Sequence, residues 1–255
     1  MANVWTRTRG VLLIVFVHAV VIALWHAIVV VGEIGEYIMP TPLAAFQTLF
    51  APDYHWVRNT LVTASEIFGG YVLGVATGVA MALFFFWFRT LNAIFMPLTV
   101  SLNMIPKVAL APLFIVWFSY GIVSNIIIAF SICFFPILLT TARGLREVEP
   151  DLIDLVRALK ASRWQIFTKI QLPGSLPFIF SGMKVGAILA VAGAIVGEFV
   201  ASQRGLGNLM ISVQATLDTA GMFMAVILIS VVGVVLYGLV LILERIFVVR
   251  DARVE

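Results

Sequence analysis

The sequence predicts an all-α, polytopic membrane protein with about six transmembrane helices. Of its 255 residues, 62% are hydrophobic and only 11% are charged. The mean hydropathy is strongly positive, and this composition is typical of membrane proteins. Because a helix needs about 20 apolar residues to cross a bilayer, the chain has room for some six crossings and little else. We therefore expect a single transmembrane domain over residues 1–255.

Six apolar stretches are the predicted spans: 10–31, 61–88, 91–118, 122–142, 177–200 and 222–243. The third span carries Pro97, Pro106 and Pro112, with Lys107 among them. Proline interrupts a helix, and an interrupted helix at membrane depth is tolerated where it lines a cavity or packs on protein. We therefore expect the third span to be kinked or broken.

Two stripes of small residues recur at four-residue spacing in the second and fifth spans. They comprise Gly70, Gly74 and Gly78, and then Gly182, Gly186, Ala190 and Ala194. Small residues at this spacing let neighbouring helices approach closely, so we interpret both stripes as packing faces.

The basic residues are distributed unevenly between the two sides of the membrane. With this arrangement of spans, 12 of the 16 Lys and Arg residues lie on the side of the N-terminus: Arg7, Arg9, Arg89, Arg143, Arg146, Arg157, Lys160, Arg163, Lys169, Arg245, Arg250 and Arg253. By the positive-inside rule, both termini and the loop 143–176 are expected in the cytoplasm. The net charge of +3 is too small to indicate binding to nucleic acid.

The loop 143–176 is the one long polar interval, and it reads as a helix, a turn and a second helix. Pro150 suits the first turn of the first helix. Ser162 followed by Gln165 predicts a capping box that opens the second helix, which we expect to end at Leu172-Pro173. The first helix carries an apolar stripe formed by Leu152, Leu155, Val156 and Leu159.

Nothing else in the chain is expected to cover this apolar stripe. Exposed apolar surface rimmed by charge is typical of a site that binds a partner protein. The alternative is a helix that lies on the lipid surface.

The loop resembles the cytoplasmic coupling loop of inner-membrane permease subunits of bacterial ABC importers. In that family the loop contains Glu-Ala-Ala, then a Gly, then Ile-x-Leu-Pro. Asp154, Leu155 and Val156 stand at the Glu-Ala-Ala positions, and I-Q-L-P over 170–173 matches the closing signature. Lys160 stands where the family has Gly, which places the tight turn in question, although Ala161-Ser162 could form it one residue later.

A wider resemblance, over residues 39–247, is to the nitrate/sulfonate/taurine-type branch. It rests on four motifs in order: M-P-T-P-L, I-P-K-V-A-L-A-P-L-F-I-V-W-F, F-F-P-I-L-L and G-E-F-V-A-S-Q-R-G-L-G. The resemblance implies a type I ABC importer permease in the bacterial cytoplasmic (inner) membrane. It also implies a homodimer, two ATPase subunits and an extracytoplasmic solute-binding protein. The residues that would couple to the ATPase are Leu152, Asp154, Leu155, Val156, Leu159 and Ser162.

The sequence carries no motif for catalysis or for a bound cofactor. There is no G-x-x-x-x-G-K-[ST] phosphate loop, no Cys/His cluster at metal-ligand spacing, and a single cysteine, Cys133. We therefore expect a non-catalytic subunit without a metal or cofactor, whose ATP and Mg²⁺ are bound by the partner ATPase.

Two groups of residues are candidates for the translocation pathway or its gate: Pro106 and Lys107 in the third span, and Gly197, Glu198, Gly205 and Gly207 around the end of the fifth. A lysine deep in a span points to a water-filled path, and a pair of such lysines on a dimer axis favours an anion. Alternatively, Lys107 pairs with Glu198 or extends to the membrane surface.

The expected solute is an organic sulfonate, nitrate or a similar anion. The same machinery could instead carry a neutral vitamin precursor, such as a thiamine-precursor pyrimidine or riboflavin. An ATP-independent secondary transporter is the alternative from a different class.

Overall fold

The computed structural model describes residues 2–147 and 150–248, and every element within those ranges is helical. The α-helices are α1 (Ala2–Val31), α2 (Pro42–Gln47), α3 (Trp56–Trp87), α4 (Arg89–Asn103), α5 (Ala111–Phe118), α6 (Ile122–Gly144), α7 (Pro150–Ala158), α8 (Arg163–Ile166), α9 (Leu172–Ala201), α10 (Leu206–Gln214) and α11 (Thr219–Phe247). Short 3-10 turns occur at Thr48–Phe50, Pro52–Tyr54 and Lys107–Leu110, and a π-helical turn occurs at Phe167–Gln171. The all-α prediction is confirmed.

Within the described residues, five helices are long and apolar enough to cross a membrane: α1, α3, α6, α9 and α11. The segments Arg89–Asn103 and Lys107–Phe118 meet at a bend of 83°; they form either one broken span, which would be the sixth crossing, or a re-entrant loop. The third predicted span is therefore broken just before Lys107, next to Pro106, whereas Pro97 lies inside α4 without ending it.

Internal contacts divide the chain into two compact units. The first unit runs to Val57 and includes Leu209–Leu228, and the second comprises Arg58–Asn208 and the chain from Ile229. α3, α10 and α11 each contribute residues to both units.

The first unit joins segments that are far apart in the sequence. The Trp25 indole N–H donates to the Pro40 carbonyl at 2.9 Å, and the Tyr54 hydroxyl donates to the Asp218 carboxylate at 2.7 Å. α1 leaves most of its apolar side chains exposed, as expected for a helix that contacts lipid around most of its circumference.

The second unit is built on the close approach of α3 to α6. A Cβ atom at Gly70 would collide with Ala129, and one at Gly74 would collide with the Cys133 sulfur. The first small-residue stripe is therefore a packing face, as predicted, and Cys133 is fully buried against it.

α9 packs on α6 in the same way. A Cβ atom at Gly186 would collide with Ile137, and one at Gly193 would collide with the Ala129 backbone. The Tyr71 hydroxyl of α3 donates to the Met183 carbonyl of α9 at 3.1 Å. The second predicted stripe is thus also a packing face, and α6 lies between two glycine-containing surfaces.

The loop leads into the fifth span without a break, which corrects the prediction that Leu172-Pro173 ends the second loop helix. α8 continues through the π-helical turn into α9, which begins at Leu172 rather than near Pro177. The Leu172 N–H donates to the Phe167 carbonyl five residues back. A π turn widens the helix by one residue, so the chain passes Pro173 in the first turn of α9 and stays helical.

The turn after α7 lies at Lys160 itself, not one residue later as the alternative required. Lys160 has a φ of 61°. Its N–H donates to the Arg157 carbonyl at 2.9 Å, and the Ala161 N–H donates to the Val156 carbonyl at 3.0 Å. These two bonds form a Schellman motif, whose left-handed position favours glycine.

We predict that Lys160→Gly stabilises the loop. Removing the side chain relieves the left-handed conformation by about 1 kcal/mol, which slows local hydrogen exchange at the turn about fivefold. Lys169→Gly is the matched control: Lys169 lies in the π turn at negative φ, so glycine there should speed exchange. Faster exchange in Lys160→Gly would contradict the assignment of the turn.

Candidate functional site

α7 and the turn that follows it expose a row of leucines. Leu155 and Leu159 are 60% and 74% exposed, and Leu152 is 40% exposed. Val156, which was predicted to share their face, is half-buried. The apolar stripe is therefore present but is centred on the three leucines, with Val156 at its edge. Uncovered apolar surface of this kind is typical of a surface that binds another protein.

The loop is fixed to the end of α3 by an aromatic cluster that the sequence analysis missed. The Phe167 ring lies 5.6 Å from the Phe86 ring and 5.2 Å from the Trp87 ring, between centroids, and Trp164 stacks on Trp87 at 6.1 Å. Ile153 of α7 is also buried. The signal was available as F-F-F-W at the end of α3 and W-x-x-F in the loop, but nothing local indicated that they meet.

The two predicted polar residues of the loop make local contacts. Asp154 forms an exposed ion pair with Arg157, with 3.0 Å between the nearest oxygen and nitrogen. Ser162 and Gln165 form the predicted capping box: the Gln165 N–H donates to Ser162 Oγ at 3.2 Å, and the Ser162 N–H donates to Gln165 Oε1 at 2.8 Å. Asp154 and Ser162 thus shape the loop helices at their ends.

At the opposite end of α9, Glu198 is completely buried and bound by the chain that follows it. The Thr63 hydroxyl of α3 donates to Glu198 Oε1 at 2.5 Å, and the Gly207 N–H donates to Oε2. The Leu206 N–H donates in turn to Thr63 Oγ1 at 2.8 Å. Glu198 therefore holds the turn 202–207 against α3.

A second carboxyl group belongs to the same cluster. Glu66 of α3 is fully buried, and it accepts a bond from the Asn125 amide of α6 at 2.8 Å. Its other oxygen, Oε2, is buried and bonds to no group in the described residues. We call Thr63, Glu66, Asn125 and Glu198 the carboxyl cluster.

Three predicted glycines surround the carboxyl cluster because a side chain would not fit. Gly205 has a φ of 108°, and a Cβ atom there would collide with the Glu198 carboxyl group. A Cβ atom at Gly207 would also collide with Glu198, and one at Gly197 would collide with the Asn125 amide. The structure therefore brings together four of the six predicted pathway residues.

Lys107 lies at the bend between α4 and α5 and makes no bond to the carboxyl cluster. Its ammonium group donates to the Asn103 carbonyl at 2.7 Å and to Asn103 Oδ1 at 3.0 Å, and it lies 4.6 Å from the centre of the Phe135 ring. The alternative pairing with Glu198 is therefore wrong. Lys107 binds the carboxyl end of α4, where a helix dipole favours a cation, and Pro106 opens the following 3-10 turn.

The sequence analysis did not assign Thr63, Glu66 or Asn125 to this site. All three are polar residues inside otherwise apolar spans, and such residues usually face protein rather than lipid. That signal marks them individually, but only the packing of α3 on α6 shows that they meet at Glu198. Across the described ranges, no group of three or more His, Cys, Asp and Glu side chains is arranged to hold a metal ion.

Known proteins resemble this chain along most of its length. It is 34% identical over 218 residues to a probable ABC transporter permease protein of Haemophilus influenzae, covering 86% of this chain and 89% of that protein. It is 32% identical to the riboflavin transport system permease protein RibX of Chloroflexus aurantiacus, covering 89% and 86%. It is 28% identical to the putative aliphatic sulfonates transport permease protein SsuC of Bacillus subtilis, covering 89% and 83%.

A solved structure shares the fold. An inward-facing structure of the MetNI methionine ABC transporter matches with a TM-score of 0.55 and 21% identity, covering 75% of this chain and 98% of that chain. Residues 74–248, more than half of the chain, also match the family described as the binding-protein-dependent transport system inner membrane component. The chain therefore belongs to that family and is a multi-pass permease subunit of the ABC importer type.

Proposed function

We propose that this chain forms half of the translocation pathway of an ATP-driven importer. Two copies would form a homodimer, because six crossings in one short chain enclose only part of a path. Each copy would bind one ATPase subunit, and a solute-binding protein would deliver the solute from outside. The ATPase would bind ATP and Mg²⁺, so this chain would need no cofactor and would catalyse no reaction itself.

The exposed leucines of α7 carry this proposal. They form an apolar surface on a loop that aromatic contacts attach to α3 and that continues without a break into α9. A partner bound at this surface would therefore move two membrane spans directly. The excess of basic residues on this side of the membrane supports a cytoplasmic position for the loop and for both termini.

We predict that Leu155→Asp combined with Leu159→Asp detaches the ATPase while the chain stays in the membrane. Two charges placed in a buried apolar contact remove most of its binding energy. The measurement is the amount of ATPase that co-purifies with the chain from detergent. The pair Leu155→Met and Leu159→Met is the control, because methionine preserves an apolar surface and should retain the ATPase.

Full retention of the ATPase by the Asp variant would show that another surface binds it. Uptake that continues after the ATPase has been lost would instead support the ATP-independent alternative.

We further propose that the turn 202–207 is part of the outer gate. The backbone of the turn bonds to Glu198, to Thr63 and to Asn59: Gly205 N–H donates to Asn59 Oδ1 at 3.1 Å. Hydrogen bonds from α3 and α9 thus converge on one short segment, so a relative movement of these helices would release it. This arrangement suits a segment that opens and closes with the transport cycle.

Gly205→Ala is predicted to lower uptake at least about tenfold, because the left-handed conformation and the collision with Glu198 prevent the turn from closing. Gly238→Ala is the control, since a Cβ atom in that helical position meets no neighbouring atom. Uptake by the reconstituted transporter is the measurement, with ATPase retention as a check on assembly. Equal uptake by both variants would exclude the turn from the gate.

The solute is proposed to be a small organic molecule, and Lys107 distinguishes the two candidate classes. One relative is named for riboflavin and another for aliphatic sulfonates. The bonds from Lys107 to Asn103 and its position over Phe135 explain the lysine without an anion in the path. A neutral vitamin precursor therefore agrees with the structure better than a sulfonate does.

We predict that Lys107→Met retains at least about half of the uptake, because the lost contact at the end of α4 is worth only about 0.5–1 kcal/mol. Lys107→Arg, which keeps the charge, is the control. Uptake of riboflavin, a pyrimidine precursor and an alkyl sulfonate is measured side by side. Loss of sulfonate uptake in the Met variant alone, with the ATPase still bound, would restore the anion assignment.

A further inference from the structure

A polar cleft of about 600 Å³ lies beside α7. Its walls come from the end of α3, the start of α4, the end of α6 and one side of α7. Arginines from three of these segments, Arg89, Arg146 and Arg157, line it together with one carboxylate, Asp154. We call it the arginine cleft.

The arginine cleft carries uncompensated positive charge. Asp154 is already paired with Arg157 at 3.0 Å. Within the described part of the chain, no carboxylate lies in ion-pair contact with Arg89 or Arg146. An adjoining cleft of about 320 Å³ shares Arg89 and Arg157 and adds Arg163. The local excess of guanidinium groups favours a ligand with negative charge.

The start of α4 adds a second feature that suits an anion. Arg89 is the first residue of this 15-residue helix, and Phe88 before it provides no side-chain cap. The free N–H groups of a helix start favour an anion. One turn later, Asn92 lines the cleft and is only 8% exposed, and its amide oxygen bonds to no group in the described residues. A buried polar atom without a partner marks a position where a ligand hydroxyl or a bound water is needed.

The cleft also has apolar walls at the level where the spans end. Phe86, Leu145 and Ile153 line it beside the arginines, and Trp87 and Phe88 are exposed nearby at the end of α3. Exposed aromatic side chains at the end of a span are typical of the membrane–water interface. A ligand that fits must therefore combine an anionic group with apolar chains.

We propose that the arginine cleft binds the phosphate headgroup of an anionic phospholipid. Basic pockets between transmembrane helices are known to bind such headgroups. The lipid would connect α4 and α6 to α7, and it would do so on the side of α7 that carries Ile153 and Arg157 rather than on the exposed leucines. The inference concerns lipid binding, so it holds or fails independently of the solute and of the ATPase.

The test is retention of lipid by the chain, purified together with its bound subunits and placed in nanodiscs. One set contains phosphatidylcholine alone, and the other also contains phosphatidylglycerol. Native mass spectrometry then counts the lipids that stay bound after detergent extraction. The wild-type chain should retain phosphatidylglycerol at least about tenfold more strongly than phosphatidylcholine, because each arginine near the headgroup adds to the attraction.

Arg89→Gln combined with Arg146→Gln should abolish this preference. Arg143→Gln is the matched control: Arg143 lies at the same end of α6, is exposed and pairs with Glu147 at 3.4 Å, and does not line the cleft. A second variant, Arg89→Lys with Arg146→Lys, keeps both charges and should keep most of the preference. If the double Gln variant does not fold, lipid retention by the double Lys variant tests the proposal instead.

Three results would overturn the proposal. The first is equal retention of the two lipids by the wild-type chain. The second is a loss of the preference for phosphatidylglycerol in one of two variants. It could occur in Arg143→Gln, if the loss is as large as in the double Gln variant, or in a folded double Lys variant. The third concerns the source of the phosphate: if millimolar inorganic phosphate displaces phosphatidylglycerol from the cleft, the ligand is a free anion and not a lipid.

Discussion

The close approach of α3 and α9 to α6 is the constraint on which the second unit depends. In a bilayer the lipid chains are as apolar as the side chains, so burial of apolar surface does little to hold spans together. Close van der Waals contact between helices must hold the spans together instead, and it requires glycine where backbones meet. Gly70 and Gly74 of α3 and Gly186 and Gly193 of α9 provide these positions. Three of them face side chains of α6 and Gly193 faces the Ala129 backbone, so little rearrangement is possible without separating the helices.

The same packing brings the carboxyl cluster together. Thr63 and Glu66 lie on α3, Asn125 on α6 and Glu198 on α9, and each would be costly to bury alone in an apolar environment. The bonds from Thr63 to Glu198 and from Asn125 to Glu66 offset part of that cost, while Glu66 Oε2 and Asn125 Oδ1 bond to no group in the described residues. A polar cluster of this kind is stable only while the three helices keep their spacing.

At the other end of the spans, covalent continuity and aromatic packing replace glycine contacts. The π-helical turn carries α8 into α9, and Phe167 and Trp164 pack on the end of α3. α7 is thereby connected, through packed and continuous helices, to the spans that carry Glu66 and Glu198. This is the physical link by which a partner at the loop could act on the opposite end of the protein.

The sequence by itself determined the features that depend on neighbouring residues. Composition indicated the class and about six crossings, proline spacing identified the break in the third predicted span, and the spacing of Ser162 and Gln165 identified the capping box. The predicted helix end at Leu172-Pro173 was wrong because a π turn keeps the chain helical there. The π turn depends on the helices on both sides of it. Only the tertiary structure decided which distant groups meet: Glu198 with Thr63 and Glu66, Trp164 with Trp87, and Lys107 with Phe135. Such contacts join residues from different helices, and their partners depend on how those helices pack rather than on any local pattern.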